Sequence, residues 1–343
     1  MTTTSREVLA VACQHACAVV FLDLEGGDRI DTVSLDFEPH ELAFDPSRRL
    51  IYATHTYRSG WYFGNAGRVP KISVIDADTH ALVDVIDISP FHGPHDVFWD
   101  PGEDLLFTTV EGSAGGAGGV LVIDAATRTI ADHISVEAVG PHWFSPNSDV
   151  TKIFVAAKES KFASVVDVKN RAMTGRVELP GTEGIAVLPG DDRLVVAAPV
   201  MVPAYMTAPT EPFGLRVVDT TTLQVTAVMP SEVQPMAVHV TATGALLVSE
   251  TPMRHKAGAD PYALPEFPDG HLRVYEPDTL RLRGRVPIGP SVLTVRSSPD
   301  GTRAFASSLV AATVTVIDLD ALDVVATLPV ERGAHGMTIV PAA

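Results

Sequence analysis

Val19-Val20-Phe21-Leu22-Asp23 is a short aliphatic run closed by an acid, and the chain repeats that spelling seven times. The copies end at Asp23, Asp76, Asp124, Asp167, Asp219, Glu276 and Asp318, so successive copies lie 53, 48, 43, 52, 57 and 42 residues apart. A period of this size, built from short strands, belongs to a propeller or a solenoid. Because it runs from residue 8 to residue 341, it argues for one domain over residues 1–343, although the length alone would allow two or three.

The unit around Asp124 shows what each repeat contains. His95 to Pro101 reads as an inner strand a, Leu105 to Val110 as b, Val120 to Asp124 as c and Ile130 to Val136 as d. Branched and aromatic residues fill these runs, while Gly, Pro, Asp and Asn fill the gaps between them. No stretch has the 3.6-residue spacing of a long amphipathic helix. Strand a recurs near His40, His95, His142, Glu183, Met236, Leu293 and His335. The phase of the termini matters: the chain opens in strand b (Val8 to Cys13) and ends in strand a (His335 to Pro341). The expectation is an all-β, seven-bladed propeller whose last blade is closed by strands from both termini, which leaves no open edge.

These residues resemble the YVTN-type seven-bladed propellers. Ile51-Tyr-Ala-Thr-His55 stands where that family carries its name motif, and Val-x-Val-Ile-Asp followed by Thr recurs downstream. The resemblance covers nearly the whole chain and implies the fold, on which unrelated chemistries are hosted. The Gly-His and Trp-Asp signatures of the Trp-Asp-repeat propellers do not recur from repeat to repeat.

Charge narrows the partners. The net charge is −17 and no basic run occurs, so nucleic acid and anionic membrane, which select clustered Lys and Arg, are not expected. No apolar stretch approaches the length of a membrane span. Two cysteines, Cys13 and Cys17, make no disulfide framework. Met1 to Arg6 enters the first strand without a secretion signal, so a cytoplasmic location is expected. Oligomeric state is left open.

The functional signal comes from aligning the blades on the proline that closes strand a. Six residues earlier stand His40, His95, Glu183 and His335; in the third blade the aligned residue is Gly140, with His142 two positions on. Four histidines from blades 7, 1, 2 and 3 thus start neighbouring inner strands at one mouth of the channel, called the top. Imidazoles suit iron, copper, zinc, nickel or cobalt and do not suit calcium or magnesium. The reading is one transition-metal ion, iron or copper first, on His40, His95, His142 and His335. Glu183 is then a base or a hydrogen-bond partner of a ligand, and His55, at the end of strand b, a second proton carrier. The bland reading is that these histidines line the channel or cap strands.

The same face carries the long b–c loops, rich in aromatic residues, Met and Pro. Tyr57, Trp61, Tyr62, Tyr205 and Met236 are expected to contact a small, largely apolar or aromatic substrate, with Arg254 as partner for a carboxylate. The expected function is a metal-dependent enzyme with oxidoreductase or oxygenase chemistry. This arrangement is similar in architecture to the four-histidine iron centres of the carotenoid-cleavage oxygenases, whose length and loop pattern the chain does not share. The alternatives are a metal-assisted lyase, isomerase or cyclase on the same site, and a propeller that binds a ligand or protein without catalysis.

Overall fold

Seven four-stranded antiparallel sheets account for nearly all of the described chain. The computed structural model describes residues 7–113, 116–198, 212–254 and 265–342. Blade 1 runs from inside to outside as Leu42–Asp45, Leu50–Tyr57, Arg68–Asp76 and Leu82–Asp87. Blade 2 is Phe91–Asp100, Leu105–Ser113, Gly116–Asp124 and Thr129–Ser135. Blades 3 to 6 repeat the order, with inner strands Pro141–Pro146, Ile185–Val187, Pro235–Val240 and Val292–Ser297. In blade 7 the inner strand is Ala334–Val340 and the other three are Val8–Cys13, Ala18–Asp23 and Arg29–Ser34. Val8 faces Val340 and Val11 faces Met337, so strands from the two ends of the chain share one sheet.

Each inner strand abuts the inner strand of the next blade, and the ring closes where Ala334–Val340 meets Leu42–Asp45. The core lies between blades. Phe107, Val120 and Val122 of blade 2, for example, pack against Phe144, Ile153 and Val166 of blade 3. Among the described residues the one helical segment is a 3-10 turn, Gln14–Ala16. No helix among them is long and apolar enough to cross a membrane.

The acid that closes each repeat has a local cause. Oδ1 of Asp76 accepts the backbone N–H of Thr79, Asp124 that of Thr127, Asp219 that of Thr222 and Asp318 that of Ala321. The next residue, His80, Arg128, Leu223 or Leu322, then takes a positive φ of 54 to 58°. The carboxylate folds the chain over itself between strands c and d, a turn that short polar side chains make well.

The top of every inner strand is bulged. His95 and Asp96 together face Thr109, His142 and Trp143 face Ala156, Met236 and Ala237 face Ser249, and His335 and Gly336 face Ala12. In blade 6 the extra residue is Leu293. Blade 1 shows the same pattern in its hydrogen bonds, with His40 N–H donating to the Thr54 carbonyl and Thr54 N–H to that of Glu41. Glu183 and Gly184 flank Ala197 in the same way. A bulge sets two side chains against one and re-aims them, and here it does so at the channel mouth.

Candidate metal centre

The four aligned histidines come together. His40, His95, His142 and His335 are all buried, and their rings form a continuous arc. Ring centroids are 4.1 Å apart for His335 and His40, 4.0 Å for His40 and His95, and 3.6 Å for His95 and His142. Nδ1 of His40 lies 3.2 Å from Nδ1 of His335. Ligating nitrogens of His40, His95 and His142 lie within 4.8 Å of one another, and so do donor atoms of His40, Glu41 and His335. Two imidazoles on one ion at ~2.0–2.1 Å bring their nitrogens roughly 3 Å apart, so the spacing suits an ion shared within either triad, with His40 common to both.

Side-chain hydroxyls fix the histidine backbones. Thr54 Oγ1 donates to the His95 carbonyl (2.7 Å), Thr109 Oγ1 to that of His142 (2.5 Å) and Ser307 Oγ to that of His335 (2.6 Å). Two of these hydroxyls also accept a bulge N–H of their own blade, Thr54 from Glu41 and Thr109 from Asp96. Each hydroxyl therefore ties one blade to the next at the point where the ring turns inward.

Unpaired nitrogens test whether the residues present fit a metal. Both ring nitrogens of His95 and Nδ1 of His142 are buried without a hydrogen-bond partner. Buried polar atoms are normally paired, because leaving one unpaired forfeits its hydration, and an unmet nitrogen aimed at its neighbours is what a ligand set presents without its ion. Burial pushes His40, His95 and His142 far below the usual imidazole value; adjoining imidazoles and the Lys158 ammonium add to it. The rings are neutral at neutral pH, which is the ligating form.

Two carboxylates flank the arc. Glu183 is buried beside His142, with Oε1 3.7 Å from Nδ1 of His142 and 3.8 Å from Nζ of Lys158. Burial raises Glu183 to about 7, against the pull of Lys158. Glu41 is fully buried below the arc, with Oε1 3.1 Å from Nδ1 of His335. It accepts Nε1–H of Trp143 (3.0 Å) and Oγ1–H of Thr294 (3.3 Å), and Arg296 stands 3.5 Å from Oε2. Burial pushes Glu41 upward, but the His335 hydrogen bond and charge, then Arg296 and Trp143, outweigh it and hold its carboxyl below the ordinary value.

An apolar pocket opens above the arc. Its space is ≈ 680 Å³ with the mouth included, and His40, His142, His335 and Glu183 form part of its lining. Tyr57, Trp61, Tyr62 and Met236 line it too, beside Phe63, Trp143, Met253 and Phe267. Trp61 and Tyr62 reach it from a small hairpin, Gly60–Trp61 against Gly64–Asn65. Glu38 holds that hairpin, its Oε2 accepting both Gly60 N–H (3.0 Å) and Gln14 Nε2–H (3.1 Å). A second cavity of ≈ 1040 Å³, mouth included, is lined by inner-strand residues of blades 2 to 6, and Trp143 and Leu293 line both spaces.

Two expected site residues stand elsewhere. His55 is buried outside the pocket lining, with Nε2 2.8 Å from Ser73 Oγ and Nδ1 3.2 Å from the Glu38 carbonyl. Both nitrogens are engaged, and burial lowers its value to about 4, so it is a packing residue. Side chains alternate along strand b: Thr54 and Thr56 point to blade 2, and His55 points the other way. Arg254 is exposed and outside the pocket lining, with its backbone paired to that of Glu266. Tyr205 lies outside the described residues. Glu41, Trp143 and Lys158 were not singled out in the sequence. The bulge explains the first two, since it turns the residue after each histidine inward as well.

The fold and site define a seven-bladed β-propeller with a buried histidine cluster at one end of its channel. Similar solved structures are "Kuenenia stuttgartiensis Hydrazine Synthase" (TM-score 0.67, 13% identity, 89% of this chain and 96% of that one) and "Dihydro-heme d1 dehydrogenase NirN in complex with DHE" (0.61, 15%, 96% and 74%). A functionally unknown protein from Desulfotomaculum acetoxidans is also similar (0.71, 12%, 98% and 99%). At these identities the likeness is one of fold. No protein-family model and no curated protein matches the chain.

Proposed function

We propose that the protein is a metal-dependent enzyme acting on a small, largely apolar or aromatic molecule, with oxidoreductase chemistry at one transition-metal ion. His40, His95, His142 and His335 would hold the ion. The observation that carries this reading is the buried arc of four imidazoles beneath an aromatic pocket, with both ring nitrogens of His95 and Nδ1 of His142 left without a hydrogen-bond partner. Bound there by imidazoles, iron or copper would supply an electrophilic redox centre. The chain's own residues supply the rest. Tyr57, Trp61, Tyr62 and Met236 enclose the substrate and exclude water, and Glu183 exchanges a proton with whatever occupies the pocket. That two similar structures are named a synthase and a dehydrogenase is consistent with catalysis on this scaffold. The Ile51-Tyr-Ala-Thr-His55 motif supports reading the chain as a divergent YVTN-type propeller.

Glu183 favours one second reading. A buried carboxyl with a value of about 7 is suited to moving protons, as a metal-assisted lyase or isomerase requires. The test is turnover of a panel of small aromatic and apolar compounds by protein loaded anaerobically with Fe(II), Cu(II) or Zn(II). Turnover with iron or copper alone, coupled to oxygen or an electron acceptor, supports the first reading. Turnover with zinc supports the second. No turnover with any metal, and unchanged ligand binding when the four histidines become alanine, would leave a binding propeller.

A further inference from the structure

The pocket above the histidines has donors of several kinds, and nearly all are committed. Tyr57 donates its hydroxyl to Glu111, and Tyr62 to Glu159. Gln14 Nε2 is held by Glu38 and by the Gly60 carbonyl, and Trp143 Nε1 by Glu41. Lys158 differs. It is the one Lys or Arg among the described residues that line the pocket, and its side chain is 11% exposed. Its ammonium meets the Tyr62 ring face at 4.9 Å and Glu183 at 3.8 Å, beyond hydrogen-bond reach. Three donors on a nearly buried cation thus have no acceptor in place among the described residues. A cation set this far into an apolar wall gains from an acceptor, because water reaches it only in part.

We infer that Lys158 is the anchor for an anionic group, and that the substrate of this pocket is a small aromatic or apolar acid whose carboxylate pairs with it. The inference deepens the proposed function and rests on it for the chemistry at the other end of the ligand. It moves the carboxylate partner from Arg254, which is exposed and outside the lining, to a cation within the pocket wall. The ring of such an acid would lie among Trp61, Tyr62, Phe63 and Met236, where the walls are apolar.

The test pairs ligands of the same shape and different charge. Benzoate against benzamide, and phenylacetate against its amide, are titrated into metal-loaded and metal-free protein while tryptophan fluorescence, to which Trp61 and Trp143 in the pocket lining contribute, is read. Wild type is compared with Lys158→Met and Lys158→Arg, and metal content is measured in every sample. The acids are expected to bind the wild type at least about tenfold tighter than the amides, as a charge-assisted contact gives. Lys158→Met should level the two, Lys158→Arg should keep the preference, and metal content should not change. Amides that match the acids, a preference that survives Lys158→Met, or no saturable binding of any acid overturns the inference. The two proposals fail separately. Protein that takes no metal but keeps a Lys158-dependent preference contradicts the metalloenzyme and leaves this contact standing; metal-replete protein without the preference does the reverse.

Discussion

Replacing Thr54 with valine removes one oxygen at constant shape, and that oxygen joins two blades. It accepts Glu41 N–H at 3.0 Å and donates to the His95 carbonyl at 2.7 Å, at a fully buried position. Valine leaves both groups without that partner and out of reach of water. A buried group so stranded costs ~1–3 kcal/mol. With two of them and some local relaxation, Thr54→Val should destabilise the protein by about 2–4 kcal/mol. Thr54→Ser, which keeps the oxygen, should cost about 1 kcal/mol, the worth of a buried methyl. Urea unfolding followed by tryptophan fluorescence reads the difference as a lowered midpoint at unchanged slope. Because Glu41 and His95 both depend on this hydroxyl, metal affinity should fall as well. A Thr54→Val protein within about 0.5 kcal/mol of wild type, the range of an ordinary surface change, would refute the idea that hydroxyls opposite the bulges hold the histidine ring.

Three further outcomes follow from the same geometry. His55 has a folded value of about 4, below its unfolded value near 6.5, so the unfolded chain binds its proton first as pH falls. Its contribution is complete above pH ~6.5 and is lost towards pH ~4; between pH ~7 and ~4.5 the wild type should lose about 2.5 kcal/mol more than His55→Asn, and equal losses would contradict this. A Cβ at Gly336 would lie 2.3 Å from the His40 carbonyl oxygen and 2.6 Å from Glu41 Cα, so Gly336→Ala should abolish stoichiometric metal binding. Gly26→Ala, which meets nothing closer than Asp28 at 3.5 Å, should leave metal content unchanged. Finally, the Trp143 ring lies 4.4 Å from that of His142, so Cu(II) should quench tryptophan emission with an end point near one equivalent, and His142→Ala should remove the end point.

The propeller was legible because its decisive signals are local. The acid at the end of strand c builds its own turn, as Asp76, Asp124, Asp219 and Asp318 do, and so recurs from blade to blade. The proline that closes strand a set the register that brought His40, His95 and His335 into one position. What the sequence reading missed comes from broken alternation. Strict period-2 reasoning assigns Glu41 and Trp143 to the faces opposite His40 and His142, but a bulge at the head of each inner strand turns both members of the pair inward. His55 failed for the opposite reason, because strand b keeps its alternation and so points that ring away from the mouth. Thr54, Thr109 and Ser307 each stand eight residues after the proline of strand a, so the hydroxyls that hold the ring were spelled in register with the histidines they support.

The central claim is one ion on four histidines, and metal stoichiometry tests it most directly. The chelator-washed protein is reconstituted anaerobically and measured beside a variant carrying His95→Ala and His335→Ala together. The wild type should hold close to one equivalent of a transition metal and the variant should lose it, with folding retained by circular dichroism. No metal in the wild type under those conditions, or an equal amount in both proteins, would contradict it.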